Sequence, residues 1–201
     1  IVAQGSRYRE NDVMQPNSVI FPWRSVSGEI VGADRQGTQN DFVHHEKRGT
    51  TKQVIAGSDT TTGFNMSFGK ADRTLVLFES PIDLLSYAQQ NHQDLKANDA
   101  TLLSVSGTDA KRGAKYLNDA IAKNNARFDK IIVAFDNDKA GFKAAEFYDR
   151  FQFKNPITNT PITAERQIPI KGKDWNEQLK SGATGYTRMT MAENTKRLEA
   201  L

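Results

Sequence analysis

The stretch Lys130–Gly141 reads KIIVAFDNDKAG and contains the pattern that decides the fold. Its apolar part, Ile131–Phe135, lacks polar residues at alternate positions, which is typical of a strand buried on both faces in a parallel sheet. Asp136-Asn137-Asp138 ends this strand. We therefore predict a buried strand, an acidic loop and then a helix, with a core face formed by Ala140, Ala144, Phe147 and Phe151.

Asp136 and Asp138 follow the carboxyl end of the predicted strand, the edge at which open α/β sheets bind ligands. Two interpretations are open. The acids could cap the following helix, because Asp is a favoured N-cap residue. They could also bind a divalent cation. A cap needs one Asp, so the presence of two favours a metal site.

Three further buried strands alternate with helical patterns along the chain. The strand at Thr74–Phe78 leads into Ser80-Pro81, which suits a helix start with Ser as the cap and Pro at the first helical position. The alternation is typical of parallel βαβ units with right-handed crossovers. The sequence therefore predicts an α/β fold, a parallel sheet flanked by helices; its other strands are Thr101–Val105 and Glu165–Ile170.

The chain before this sheet has short β-type segments instead. Val19–Trp23 and Glu29–Ala33 flank Ser27-Gly28, which indicates a hairpin. Lys52–Ala56 and Phe64–Phe68 are two further short strand patterns. The breakers in residues 1–17 suggest a helix end and a turn, and Met189–Leu201 suggests a helix.

We expect four segments in the chain. They are the tail of an upstream segment (1–17), a small β-rich basic lobe (18–71), the sheet domain (72–180) and a C-terminal extension (181–201). Because the chain starts at Ile1 rather than Met, we also expect it to be a piece of a longer protein.

The composition narrows the class of protein. Hydrophobic residues make up 37% and charged residues 25% of the 201 residues, as in ordinary globular domains. No apolar run approaches the roughly 18–20 residues of a membrane span, so we expect no membrane partner. Cysteine is absent, which excludes disulfides, Cys-ligated zinc and Cys nucleophiles and fits a cytoplasmic location. The net charge of +3 is too small to indicate nucleic-acid binding by itself.

Polar side chains follow three of the predicted strands. Because the carboxyl ends of parallel strands lie along one edge of a sheet, we expect these side chains to form one group, here called the carboxylate cluster. Its oxygen donors suit Mg²⁺ or Mn²⁺ better than zinc or copper. The members of the cluster are Glu79, Asp83, Asp136, Asp138, Asp174 and Asn176.

Four motifs in this order resemble the successive motifs of the Toprim domain, which topoisomerases, bacterial primases and some nucleases share. They are ESPID (79–83), SGT (106–108), DNDKAG (136–141) and KDWN (173–176). The resemblance covers roughly residues 72–180, and it is greatest to the primase-like Toprim proteins of plasmids, phages and conjugative elements. The segments FPWR (21–24) and SGEIVG (27–32), with Arg35 and Lys52, resemble the primase segment that precedes the Toprim domain.

This resemblance implies roles for individual residues. Glu79 is implied as a general acid/base or metal ligand, and Asp136 and Asp138 as the principal Mg²⁺ ligands, so these three are the candidate catalytic residues. Secondary metal positions are implied for Asp83, Asp174 and Asn176. Phosphate-binding positions are implied for Arg24, Arg35, Lys52 and Lys139.

The sequence departs from the family pattern at two of these places. Ser80-Pro81 replaces the glycine that usually follows the glutamate, and Asn176 stands where primases often have a carboxylate. The second change lowers the negative charge available to a further metal ion.

The resemblance implies a primase-like nucleotidyltransferase that uses Mg²⁺ (or Mn²⁺), with single-stranded DNA and nucleoside triphosphates as its partners. It would act in replication or transfer of a mobile element, beside a helicase or relaxase of that element. Two alternatives stay open: a Toprim nuclease that uses the same metals, and a DNA-binding accessory domain without catalysis.

Overall fold

The computed structural model describes residues 2–4, 8–10, 13–15, 18–40, 42–43, 45–46 and 49–201, with backbone alone before residue 18. The strands in these residues are β1 (Val2–Gln4), β2 (Tyr8–Glu10), β3 (Val13–Gln15), β4 (Ser18–Arg24), β5 (Ile30–Gly37), β6 (Lys52–Val54), β7 (Asn65–Ser67), β8 (Thr74–Phe78), β9 (Ala100–Ser104), β10 (Lys130–Val133), β11 (Phe153–Asn155), β12 (Thr160–Pro169) and β13 (Tyr186–Thr190). The helices are α1 (Pro81–Ala97), α2 (Ala110–Asn124), α3 (Lys139–Arg150), α4 (Trp175–Lys180) and α5 (Met191–Glu199).

The centre of the fold is a seven-stranded sheet with four parallel strands in the order β12-β10-β8-β9. The strand order reverses at β8, because the chain passes from β8 to β9 on one side and then crosses to β10 on the other. Such a reversal opens a crevice at the carboxyl ends of the two strands beside it. The predicted parallel sheet flanked by helices is confirmed.

Side chains of β8 show why this strand is apolar at four successive positions, from Leu75 to Phe78. Leu75 and Leu77 belong to a core cluster with α2 and α3, whereas Val76 and Phe78 belong to a second cluster with α1 and α4. Successive side chains of a strand point to opposite faces, so a strand covered by helices on both faces has no polar alternation.

The predicted hairpin is confirmed as β4 and β5, which pair antiparallel within a four-stranded sheet of order β1-β4-β5-β6. Phe21 and Trp23 of β4 are fully buried and belong to the core cluster on the α1 side of the central sheet. Asp34 of β5 accepts hydrogen bonds from Trp23 Nε1 (2.8 Å) and from Ser106 Oγ (2.9 Å) at the carboxyl end of β9. The lobe is thereby fixed beside the carboxyl edge of the sheet.

Two local predictions are wrong. The segment at 64–68 is not part of the lobe, because β7 pairs antiparallel with β9 at the edge of the central sheet. The suggested helix end in residues 1–17 is also wrong, because β1, β2 and β3 are strands. The predicted C-terminal helix is confirmed as α5, although its first two predicted residues, Met189 and Thr190, belong to β13, which pairs antiparallel with β12.

The predicted core face of α3 is confirmed in part: Ala144 and Phe147 are half-buried and pack against the core, but the centre of the buried face is displaced by one position. Ala140 and Phe151 are exposed, and the buried residues of the helix are Gly141, Phe142, Ala145 and Tyr148. Both sets have helical spacing, so periodicity could not separate them. Gly141 decides which set is buried, because a Cβ atom at this position would lie 2.2 Å from the carbonyl oxygen of Asp136. The helix is turned so that this glycine meets the backbone after β10.

The C-terminal helix α5 packs on α3. Asn194 of α5 is fully buried, and its Nδ2 donates a hydrogen bond to the carbonyl oxygen of Phe142 (3.0 Å). No described helix combines the length and the apolar character that crossing a membrane requires.

The side chain of Trp175 anchors the loop after β12 to the end of β10. Its fully buried ring donates from Nε1 to the carbonyl oxygen of Ala134 (2.7 Å). We predict that Trp175→Phe, which leaves this carbonyl unsatisfied, lowers the free energy of unfolding by about 1–3 kcal/mol. Urea unfolding followed by circular dichroism measures the change. The control Phe151→Leu, at a half-exposed ring, should change stability by less than about 0.5 kcal/mol; equal effects of both changes would contradict the prediction.

Candidate functional site

A pocket of about 510 Å³ lies between the carboxyl edge of the central sheet and the lobe. Most of its acidic side chains lie on the sheet side, together with Lys173, whereas Arg35 and Lys52 reach it from β5 and β6 of the lobe, next to Asp34. This pairing of acids with bases around one cavity suits a ligand that carries both metal and phosphate. The charged residues that line it are Glu79, Asp83, Asp136, Lys173, Asp174, Asp34, Arg35 and Lys52.

Glu79 and Asp136 meet across the crevice where the strand order reverses. Glu79 directly follows β8, and its Oε1 accepts a hydrogen bond from the backbone N–H of Asp136 (3.2 Å). The Asp136 carboxylate is mostly buried, and its Oδ1 has no hydrogen-bond partner. A buried carboxylate oxygen without a donor is a costly arrangement that a bound cation would satisfy.

Burial and mutual repulsion change the acidity of these groups. Burial, with the nearby charge of Asp138 added, raises the pKa of Glu79 to about 7. Burial, with the charges of Glu79 and Asp83 added, raises the pKa of Asp136 to about 8. Burial also raises the pKa of Asp83. Each carboxylate is therefore hard to ionise while its neighbours are charged.

The two interpretations of the strand-end acids apply to different residues. Asp138 is the N-cap of α3, where its Oδ1 accepts from the N–H of Gly141 (2.9 Å). Asp174 is likewise the N-cap of α4, where its Oδ1 accepts from the N–H of Glu177 (2.7 Å). Asp136 is not a cap. Helix capping therefore accounts for the carboxylates of Asp138 and Asp174 but not for that of Asp136.

Asp83 lies in the first turn of α1, below the crevice, and is buried. Its carboxylate accepts from the Ser80 hydroxyl and from the backbone N–H of Asn176 (3.2 Å). Asn176 therefore reaches the cluster through its main chain. Ser80-Pro81, which replaces the glycine of the family pattern, therefore has a local structural role, because Ser80 caps α1 and contacts Asp83.

Arg166 is a cation beneath the cluster that sequence analysis missed. Its side chain is fully buried in β12 and donates to the carbonyl oxygens of Val133 (2.8 Å) and Asp136 (2.7 Å). Burial lowers its pKa to about 9, so it stays charged at neutral pH beside Glu79 and Asp136. β10 ends at Val133, two residues before the predicted end, and Arg166 donates to the carbonyl oxygen at which the strand ends.

Lys173 lies above the cluster. Its ammonium is 2.9 Å from Asp138 Oδ2 and 3.7 Å from Asp136 Oδ2. Although burial acts in the opposite direction, the hydrogen bonds from Gly141 and Lys173 lower the pKa of Asp138. This lysine belongs to the motif KDWN (173–176), but nothing in the motif indicates which acids it contacts.

The structure brings together some of the predicted phosphate-binding residues and not others. Arg35 is nearly buried, lines the pocket and donates to Gln53 Oε1 (2.7 Å), and Lys52 lines the same wall. Arg24 instead contacts the carbonyl oxygen of Gly28 in the hairpin turn (2.7 Å). Lys139 is exposed at the start of α3, outside the pocket lining. The roles of these residues stay predictions.

The oxygen donors of the cluster are of the type that binds a divalent cation, but they are not arranged as a preformed metal site. Across the described ranges, no three Asp, Glu, His or Cys side chains converge at the spacing of a metal site. Carboxylate oxygens are nevertheless the ligands that Mg²⁺ and Mn²⁺ prefer, and Asp136 Oδ1 is free to bind one. Glu79, Asp136 and Asp138 are the side chains that would hold such an ion.

Comparison with known proteins matches the chain to one family. A family model described as Toprim-like matches residues 76–179, just over half of the chain. The uncharacterized protein pXO2-78 of Bacillus anthracis is 32% identical over 169 residues, which cover 82% of this chain and 48% of that protein. The chain thus spans about half the length of this curated relative.

Two solved structures are also similar. The primase fragment of the bacteriophage T7 primase-helicase protein has 19% identity and a TM-score of 0.49, covering 94% of this chain and 64% of its own. A chain in the structure of the bacteriophage T7 lagging-strand DNA polymerase with primase domains bound to an RNA/DNA hybrid has 21% identity and a TM-score of 0.49. That match covers 86% of this chain and 74% of its own.

The raised pKa values of Glu79 and Asp136 predict how stability depends on pH without metal. Unfolding returns each acid to its ordinary range, so between about pH 4 and pH 8 the unfolded state binds fewer protons than the folded state. The free energy of unfolding in EDTA should therefore fall as the pH rises through this window. Asp136→Asn should flatten the fall, whereas Asp94→Asn at an exposed site of α1 should not. Urea titrations at pH 5, 6, 7 and 8 measure it, and a curve that rises for the native chain would contradict the prediction.

Proposed function

Because the chain belongs to the Toprim-like family, we propose that it is a primase-like, Mg²⁺-dependent nucleotidyltransferase segment that acts on single-stranded DNA. One observation supports this most: four members of the carboxylate cluster line the same pocket as the basic side chains Arg35 and Lys52, namely Glu79, Asp83, Asp136 and Asp174. A nucleoside triphosphate with its metal ion needs both kinds of group at once.

The proposed reaction joins a primer 3′-hydroxyl to a nucleoside triphosphate. The 3′-oxygen forms a bond to the α-phosphorus, the bond to the β-phosphate oxygen breaks, and pyrophosphate leaves. The hydroxyl proton passes to the Glu79 carboxylate, whose raised pKa of about 7 suits a proton acceptor at neutral pH. A divalent ion held by Asp136 and Asp138 would supply Lewis-acid stabilisation of the phosphate charge.

The chain's own residues set the geometry of this site. Arg166 holds the carbonyl oxygen of Asp136 from below and keeps the turn after β10 in place. Gly141 lets the start of α3 approach that turn, since a Cβ there would also lie 3.0 Å from Glu79 Oε1. Arg35 and Lys52 would bind the phosphates of the nucleotide or template from the lobe side, and Arg24 and Lys139 would contact nucleic acid farther out. Asp83, Asp174 and Asn176 would support the metal site as secondary positions.

Each part of the chain would have its own role in this function. Residues 18–63 would act as the basic lobe, residues 64–180 as the metal-binding domain with β7 in its sheet, and residues 181–201 as an extension that adds β13 to that sheet. A helicase or relaxase of a mobile element would be the partner.

Synthesis on single-stranded DNA tests the proposal. With labelled ribonucleotides or deoxyribonucleotides and Mg²⁺ or Mn²⁺, the full-length protein should make short products. We predict that Asp136→Asn/Asp138→Asn abolishes them and that Glu79→Gln lowers the rate by about 10²–10⁴-fold. Asp94→Asn should leave the rate unchanged.

The same reactions separate the alternatives. DNA that is cut but not extended would replace the proposal with a Toprim nuclease. DNA that is bound but neither cut nor extended, with no metal dependence, would replace it with a DNA-binding accessory domain.

The basic wall of the pocket gives a second prediction. Lys52 is exposed on β6 and lines the pocket, so Lys52→Met should remove one phosphate contact. The slope of log K against log salt for single-stranded DNA should then fall by roughly 0.7, measured by fluorescence anisotropy. Lys70→Met, in the loop before β8 at the opposite edge of the sheet, is the control and should keep the native slope. An unchanged slope in Lys52→Met would remove this residue from the binding surface.

A further inference from the structure

Lys173 places a positive charge where a metal ion is proposed to bind. Its ammonium lies 2.9 Å from Asp138 Oδ2 and 3.7 Å from Asp136 Oδ2. One side-chain cation therefore lies beside both of the carboxyl groups that would be the principal metal ligands. A lysine ammonium and a divalent ion cannot share this position, because their charges repel each other at such distances.

The main chain of Lys173 is held firmly beside the acids. Its carbonyl oxygen accepts from the N–H of Asn137 (2.7 Å), and its N–H donates to Glu177 Oε2 (2.7 Å). Gly172 before it has a φ of +83° and packs against the Glu177 side chain. The ammonium is thus delivered to the cluster by a loop that is tied to both α4 and the turn after β10.

The side chain itself is not enclosed. Lys173 is 53% exposed, whereas Asp136 is 16% exposed. The ammonium can leave the carboxylates for water or for the pocket without moving the loop that carries it. Lysine has a flexible four-carbon stem and three rotatable donors, which suits such a movement.

The side chain of Arg166, unlike that of Lys173, is enclosed by the protein. It is fully buried, and its guanidinium donates to main-chain carbonyl oxygens, not to the carboxylates. A metal ion bound by the carboxylates would therefore not compete with Arg166 for its partners. Among the described residues, the cluster thus has a buried cation below it and an exposed cation, Lys173, above it.

We propose that Lys173 is a built-in counter-ion that occupies the metal position in the metal-free protein and is displaced when a divalent cation binds. This inference rests on the proposed function, because it takes Asp136 and Asp138 as the metal ligands. Once displaced, the ammonium remains at the pocket that it lines together with Arg35 and Lys52, where it would contact a phosphate of the bound nucleotide.

The test compares two lysines of the same loop. Lys173→Met keeps the unbranched stem and removes the charge, and Lys171→Met is the control at an exposed lysine outside the pocket lining. Electron paramagnetic resonance titration with Mn²⁺ alone measures the Kd of the full-length protein. Because Mn²⁺ no longer has to break an ion pair, we expect Kd to be about 2- to 5-fold lower in Lys173→Met and unchanged in Lys171→Met.

Thermal unfolding gives an independent measurement. In EDTA, Lys173→Met should unfold at a lower temperature than the native chain, since two carboxylates lose their counter-ion. Saturating Mn²⁺ should then raise its melting temperature by more than it raises that of the native chain. Lys171→Met should follow the native chain in both conditions.

The possible outcomes test the counter-ion role of Lys173 separately from the proposed function. An unchanged or higher Kd in Lys173→Met overturns the counter-ion role and leaves the proposed function in place. Absence of Mn²⁺ binding in both the native chain and Lys173→Met overturns both. Binding by Lys173→Met but not by the native chain supports the counter-ion role and overturns metal-dependent activity of the native protein.

Discussion

Repulsion among carboxylates at one edge of the sheet is the constraint on which the rest of the site depends. Parallel strands bring Glu79 and Asp136 to the same crevice, and burial raises the pKa of both. Such a cluster is tolerated only where positive charge is close. The chain supplies that charge twice, from Arg166 beneath the turn and from Lys173 above it.

The cations and the backbone geometry depend on each other. Arg166 reaches the carbonyl oxygen of Asp136 because β10 stops at Val133, and the freed carbonyl oxygens need a donor. Gly141 allows α3 to begin within van der Waals reach of the same turn. Asp138 is then the cap of α3, so the side chain that stabilises the helix is also the one that Lys173 contacts.

The sequence predicted those parts of the structure that depend on burial of whole strands. The stretches 75–78 and 131–135 are apolar throughout because helices cover both faces of the sheet, and that pattern is local. The core face of α3 could not be predicted in this way, because two apolar stripes one residue apart have the same period. The contact of Gly141 with Asp136, which is tertiary, decides between them.

The same distinction between local patterns and tertiary contacts applies to the residues of the candidate site. Strand-end position was enough to bring Glu79, Asp83, Asp136 and Asp174 to one pocket, because topology alone fixes which strand ends are neighbours. Arg166 carries no such signal: a charged residue in a strand is ordinary on an exposed edge, and its burial depends on carbonyl groups of another strand. Lys173 lies between these cases, since its motif is visible in the sequence and its partners are not. A cation that balances a carboxylate cluster is therefore identified only in the folded chain, because the contact between the cation and the acids is tertiary.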